Sequence, residues 1–127
     1  MQRKINCFIL LVLVVFVLVG CGGGAEVTFC ESVDDNLKPI NSGSVFTTGQ
    51  LAVRIESPES FGTNKLEVSL YKVNGESEQL FDRGEREVNP DWNIFALTVY
   101  FADPGEYKVV FSKPGGEKIA SSSVEIQ

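Results

Sequence analysis

The chain has 127 residues, room for one domain, with 17 acidic against 11 basic side chains and a net charge of −6. It contains no histidine, which excludes histidine-ligated zinc, a Ser-His-Asp triad and a Cys-His pair. The acidic balance argues against a nucleic-acid partner, because phosphate binding needs basic patches.

Residues 7–20 read CFILLVLVVFVLVG without a single charge; Arg3 and Lys4 precede them and Gly22-Gly23-Gly24 follows. A basic start, a short apolar core and small residues at its end describe an export signal. The apolar stretch falls short of the roughly 20 residues a bilayer span needs, so a retained N-terminal helix is the plainer alternative. Leu18-Val19-Gly20-Cys21 resembles the lipobox of bacterial lipoproteins: an aliphatic residue, two small or tolerated residues, then cysteine. The resemblance implies that the Cys21 thiol receives a diacylglyceryl group, that cleavage falls before it, and that Cys21 carries the anchoring acyl chains, palmitate among them. Two or three such chains hold firmly, since each buried methylene contributes about 0.8 kcal/mol. In that family, Gly22 stands where some Gram-negative bacteria read an aspartate as an inner-membrane retention signal, so outer-membrane placement is implied where such a membrane exists.

The expected organisation is therefore a signal peptide at 1–20, a lipidated cysteine with a glycine-rich tether at 21–25, and one domain at 26–127. Cleavage leaves 107 residues and removes Arg3 and Lys4, moving the net charge from −6 to −8. That charge argues against electrostatic adhesion to anionic lipid. Of three cysteines, Cys7 departs with the signal and Cys21 is alkylated, so Cys30 alone keeps a thiol. It sits in an alternating run, Val27-Thr28-Phe29-Cys30, which predicts a strand position; a bridge between two copies is the other reading of a lone exported thiol.

The mature chain reads as strands throughout. Val27 and Phe29 open the pattern, and residues 32–50, rich in Ser, Asp, Asn, Gly and Thr, read as a long connection. Leu51, Val53 and Ile55 alternate with polar neighbours, as do Leu66, Val68 and Leu70. Asn74-Gly75 predicts a hairpin turn, with Leu80 and Phe81 in a short strand after it. Phe95, Leu97, Val99 and Phe101 form a longer stripe, followed by Tyr107, Val109 and Phe111, then Ala120, Ser122, Val124 and Ile126. Pro114-Gly115-Gly116 predicts the last hairpin, and no window shows helical spacing. About seven short strands at regular spacing predict an all-β antiparallel sandwich.

Asp103-Pro104-Gly105-Glu106-Tyr107-Lys108-Val109 resembles the Asp-x-Gly-x-Tyr-x-Cys segment of immunoglobulin-like and fibronectin-like domains. The resemblance implies an immunoglobulin-like β-sandwich with a tyrosine corner at Tyr107. Val109 stands in the place of the cysteine, so the inter-sheet disulfide of that family is absent. The architecture serves many roles and names none.

Chemistry is sparse. Asp34-Asp35-Asn36 offers oxygen ligands for calcium, but without the alternate spacing and closing glutamate of an EF-hand, and a solvated acidic loop is the simpler reading. Paired carboxylates of a small hydrolase remain as a third class. The run Glu76, Glu78, Asp82, Glu85 and Glu87, broken by Arg83 and Arg86, reads as a solvated hairpin that blunts an edge strand. Tyr71, Trp92 and Tyr100 fall off the inward stripes or beside a turn, and a surface cluster of them would bind a glycan or a protein. The expected function is thus a non-catalytic, lipid-anchored binding or accessory module of the cell envelope, without cofactor or metal. The alternative is an assembly component acting through sheet-edge pairing, which requires an open, uncharged edge.

Overall fold

The computed structural model describes residues 24–127; the expected signal segment at 1–20 and Cys21, the expected site of lipid attachment, lie outside the described residues. Nine strands follow one another: β1 (Glu26–Val33), β2 (Pro39–Gly43), β3 (Val45–Phe46), β4 (Gly49–Glu56), β5 (Lys65–Asn74), β6 (Ser77–Glu87), β7 (Ile94–Phe101), β8 (Gly105–Ser112) and β9 (Lys118–Ile126). They form two sheets, sheet I in the order β2-β1-β4-β7 and sheet II in the order β3-β9-β8-β5-β6. Every pairing is antiparallel except β3 with β9.

The expected inward stripes are the core. Leu51, Val53 and Ile55 of β4 meet Leu66, Val68 and Leu70 of β5, and Phe101, Tyr107, Val109, Phe111, Val124 and Ile126 complete the layer between the sheets. A fully buried side chain of this kind contributes about 1.5–3 kcal/mol, so this layer supplies most of the drive to fold. The Tyr107 hydroxyl donates to the Asp103 carbonyl at 2.9 Å. This is the tyrosine corner expected from the Asp-Pro-Gly-Glu-Tyr segment, and Val109 fills the inter-sheet space where a disulfide would lie.

The predicted hairpins form. Asn74 pairs with Ser77 around Gly75, whose φ of 63° suits glycine, and Gly116 N–H donates to the Lys113 carbonyl in the β8–β9 turn. The count of about seven strands is corrected to nine, because β2 and β3 lie within 32–50, read from sequence as a connection. β2 is exposed along its whole length, so no apolar alternation marks it; its strand character comes from pairing with β1. The Leu80-Phe81 strand is also longer than expected, spanning eleven residues.

One excursion shapes the surface. β1 pairs with β4 only as far as Cys30↔Ala52, after which its remaining residues pair with β2 alone. The β1–β2 hairpin turns back over sheet I, and its tip is fastened there: Arg54 Nε donates to the Leu37 carbonyl at 2.6 Å, with Arg54 also paired to Glu56 at 3.0 Å. Leu37 itself adopts a left-handed φ of 61°. Cys30 lies at the bend and is fully buried, its Sγ 3.8 Å from the Ala52 carbonyl. A bridge between two copies through Cys30 is thereby corrected, because the thiol cannot reach a partner while the hairpin is in place.

Candidate functional site: the β7 edge and its lateral cleft

β7 closes one side of sheet I and, among the described residues, pairs only with β4, leaving its other edge without a strand partner there. Its sequence, Ile-Phe-Ala-Leu-Thr-Val-Tyr-Phe, holds no charge and no proline. Phe95, Leu97 and Val99 point toward the core but stay half-buried, whereas Phe101 is buried; Thr98 and Tyr100 are exposed. The half-burial has a topological cause. In constant-type immunoglobulin domains a further strand flanks the corresponding position. Here residues 88–93 cross straight from one sheet to the other, held by Val88 N–H on the Asn64 carbonyl and Phe61 N–H on the Trp92 carbonyl.

The facing edge belongs to β6 in sheet II. Its register against β5 slips from Leu70↔Asp82 to Tyr71↔Leu80, leaving Phe81 as the extra residue of a bulge. Phe81 turns inward to meet Tyr107 edge-on, ring centroids 5.9 Å apart, yet it remains 56% exposed. A cleft of about 280 Å³ opens between the two edges. Val68, Leu70, Phe81, Leu97 and Val99 form its apolar part, and Asp82, Arg83 and Arg86 line the β6 side. The charged β6 is thus the edge strand its acidic run predicted, while the uncharged β7 is left open beside it.

The three aromatics singled out from sequence do not cluster. Tyr71 is half-buried on the outer face of sheet II, between Lys108 on β8 and Leu80 on β6. Tyr100, 65% exposed, sits on sheet I near the far end of β7, and Trp92, 47% exposed, precedes the start of that strand. Ile94 to Tyr100 alone spans about 20 Å of strand. The expected contiguous patch is corrected, because alternation places a side chain off the core without saying which sheet's outer face receives it.

Trp92 instead borders a separate hollow of about 470 Å³, shared with Leu37 at the hairpin tip and with Ile94, Phe95 and Ala96. A wider hollow of about 750 Å³ is lined by Ser44, Glu106, Ser123, Glu125 and Gln127. Glu106 and Glu125 are cross-strand partners there. They project side by side from one sheet, whereas glycoside hydrolysis needs carboxylates flanking a scissile bond.

Asp34 has a structural task. Its Oδ1 accepts from the Asn36 and Lys38 N–H groups at 2.8 and 2.9 Å, and these bonds hold its carboxyl below the usual range. One oxygen of the Asp34 carboxylate thus fastens the hairpin tip, in keeping with the reading of Asp34-Asp35-Asn36 as a solvated acidic loop. No group of three or more metal-ligating side chains occurs among the described residues. Burial pushes the Cys30 thiol up, against weaker lowering by the backbone around Ile40 and by Arg54.

No protein-family model matches the sequence, and no curated protein matches it. Among solved structures, the soluble domain of PmoD from Methylocystis sp. ATCC 49242 is similar over 81% of this chain and 90% of its own, at 14% identity and a TM-score of 0.51. It is a likeness of fold alone. A superoxide reductase (neelaredoxin) from Ignicoccus hospitalis aligns over 81% of this chain and 80% of its own, at 10% identity and a TM-score of 0.45.

Proposed function

We propose that this chain is a lipid-anchored, non-catalytic accessory protein of a bacterial cell envelope, whose sandwich captures an extended segment of a protein partner along β7. The observation that carries this reading is the free, charge-free β7 edge beside an apolar cleft. Exposed edges in natural sheets are commonly blunted by charge or proline, and β6 follows that habit while β7 departs from it. An incoming strand would pair its backbone with β7 and send alternate side chains toward Leu97, Val99 and Phe81. Main-chain bonds give such a complex its affinity, at about 0.5–1.5 kcal/mol net each, and the cleft gives it selectivity for apolar side chains at alternate positions. The lipobox resemblance supports the anchor, and the Tyr107–Asp103 bond fastens the connection that leaves the far end of β7. A glycan reading has less support, since rings that would stack on a sugar stand on separate surfaces.

Photo-crosslinking in intact cells tests this. A crosslinker at Thr98 on β7 is expected to capture a discrete partner band, and one at Ser123 on sheet II is not. Adding Thr98→Lys, with the crosslinker moved to Tyr100, should abolish the band while leaving the thermal transition unchanged. A band of equal strength from both surfaces, or one indifferent to the lysine, would overturn edge capture.

A further inference from the structure

The tether and the Trp92 hollow share one end of the sandwich. Gly24, the first described residue, lies against Pro58: a β-carbon on it would stand 3.9 Å from the proline Cγ. The neighbouring Ser57 is bonded both ways to Asn93, its N–H donating to the Asn93 carbonyl at 2.8 Å and its carbonyl accepting from Asn93 Nδ2 at 3.0 Å. Trp92 precedes Asn93 and stands 47% exposed beside the hollow that Leu37 also lines. Four residues, 21–24, extend at most about 14 Å, so a lipid on Cys21 keeps this end close to the headgroups. The headgroup layer on each side of the hydrocarbon is itself some 5–8 Å deep.

We infer that Trp92 and Leu37 seat the tether end of the domain on the bilayer interface, so that the lipid anchor orients the sandwich as well as retaining it. This rests on the lipid-anchor reading above. The occupant of the hollow is the lipid surface itself, for three reasons. On the anchor reading, the 21–24 tether is too short to hold any other large body between this end and the membrane. Tryptophan favours the interface, with an apolar ring in the acyl boundary and an N–H toward water. The mature chain's charge of −8 leaves apolar contact, and not attraction to anionic headgroups, as the force available.

Trp92 is the single tryptophan of the chain, so its own emission reports the contact. The full-length acylated protein, extracted from membranes, is reconstituted into phosphatidylcholine vesicles with bromine on the acyl chains near the headgroup. Flotation reads the anchor; fluorescence reads the seat. The expected result is flotation with emission shifted to shorter wavelength and quenched by the brominated lipid. Leu37→Ser should weaken the quenching while flotation and circular dichroism stay as in the wild type. Flotation with unshifted, unquenched emission would overturn the seat and leave the anchor standing. Failure to float would overturn the anchor and the seat with it.

Discussion

Replacing Tyr107 with phenylalanine removes one oxygen from the core and little else. The ring keeps its packing against Phe101, centroids 4.9 Å apart, its edge contact with Phe81 at 5.9 Å, and Lys72 Nζ 5.6 Å from its centroid. What disappears is the 2.9 Å bond to the Asp103 carbonyl, which pins the β7–β8 connection to the start of β8. A net hydrogen bond is worth about 1 kcal/mol, and a carbonyl left dry raises the loss to about 2 kcal/mol. For a domain of about 100 residues, 1 kcal/mol moves Tm by about 5 °C, so Tyr107→Phe should lower it by about 5–10 °C. Tyr107→Leu also loses the ring contacts and should cost several kcal/mol, near the 3–5 kcal/mol of large-to-small aromatic substitutions. Differential scanning calorimetry of the three proteins at one pH reads the series. A phenylalanine variant melting within about 1 °C of the wild type would refute the corner as a stabilising device, because the Asp103 carbonyl would then be exchanging the tyrosine hydroxyl for water at no loss.

Three further outcomes follow from the same geometry. Arg54→Ala frees the hairpin tip from its 2.6 Å bond to Leu37; losing about 1.5 kcal/mol there should raise the rate at which a thiol reagent reaches Cys30 about tenfold, and an unchanged rate would show that the tip does not cover it. Asp34 has a depressed carboxyl pKa, so its turn is fully ordered above the ordinary carboxylate range and loosens as pH falls through the depressed value; protection of the Lys38 and Asn36 amides, measured against their intrinsic exchange rates, should fall there, and Asp34→Ala should reproduce that loss at neutral pH. Phe111→Ala, in a fully buried position, should cost about 3–5 kcal/mol in urea titration with an unchanged slope, and a smaller loss would mean that the core collapses around the cavity.

The inner faces of β4, β5, β8 and β9 were legible because each buries its large apolar side chains on one side, and period-two alternation is the direct imprint of that burial. The tyrosine corner was legible for a different reason: a local segment, Asp103 to Tyr107, contains all of its parts. β2 was not legible, since a strand exposed on its whole length carries no apolar period and owes its existence to β1. β6 was half-legible; its charges announced an edge, while the bulge at Phe81 and the charges on both faces hid its length. The openness of β7 could not be read at all. Ile94 to Phe101 look like any well-packed strand, and only the direct crossing at 88–93, which denies it a second neighbour, leaves its edge bare. The scatter of Tyr71, Trp92 and Tyr100 has the same origin: which sheet a strand joins is decided by contacts distant in sequence.

β1 and β7 run in the same direction, each starting at the end where the tether leaves, as the pairings Glu26↔Glu56 and Glu56↔Ile94 place them level. Two bare β7 edges would zip together most readily as antiparallel strands, which turns one molecule upside down relative to the other. Under the proposed lipid anchor, copies planted by that end on a common membrane would all stand the same way up, so neighbours would crowd side by side without offering one another a matching antiparallel edge. A copy released into solution loses this protection and can pair with any inverted twin. The anchor would then serve as a chaperone by geometry, keeping a sticky edge free for its partner.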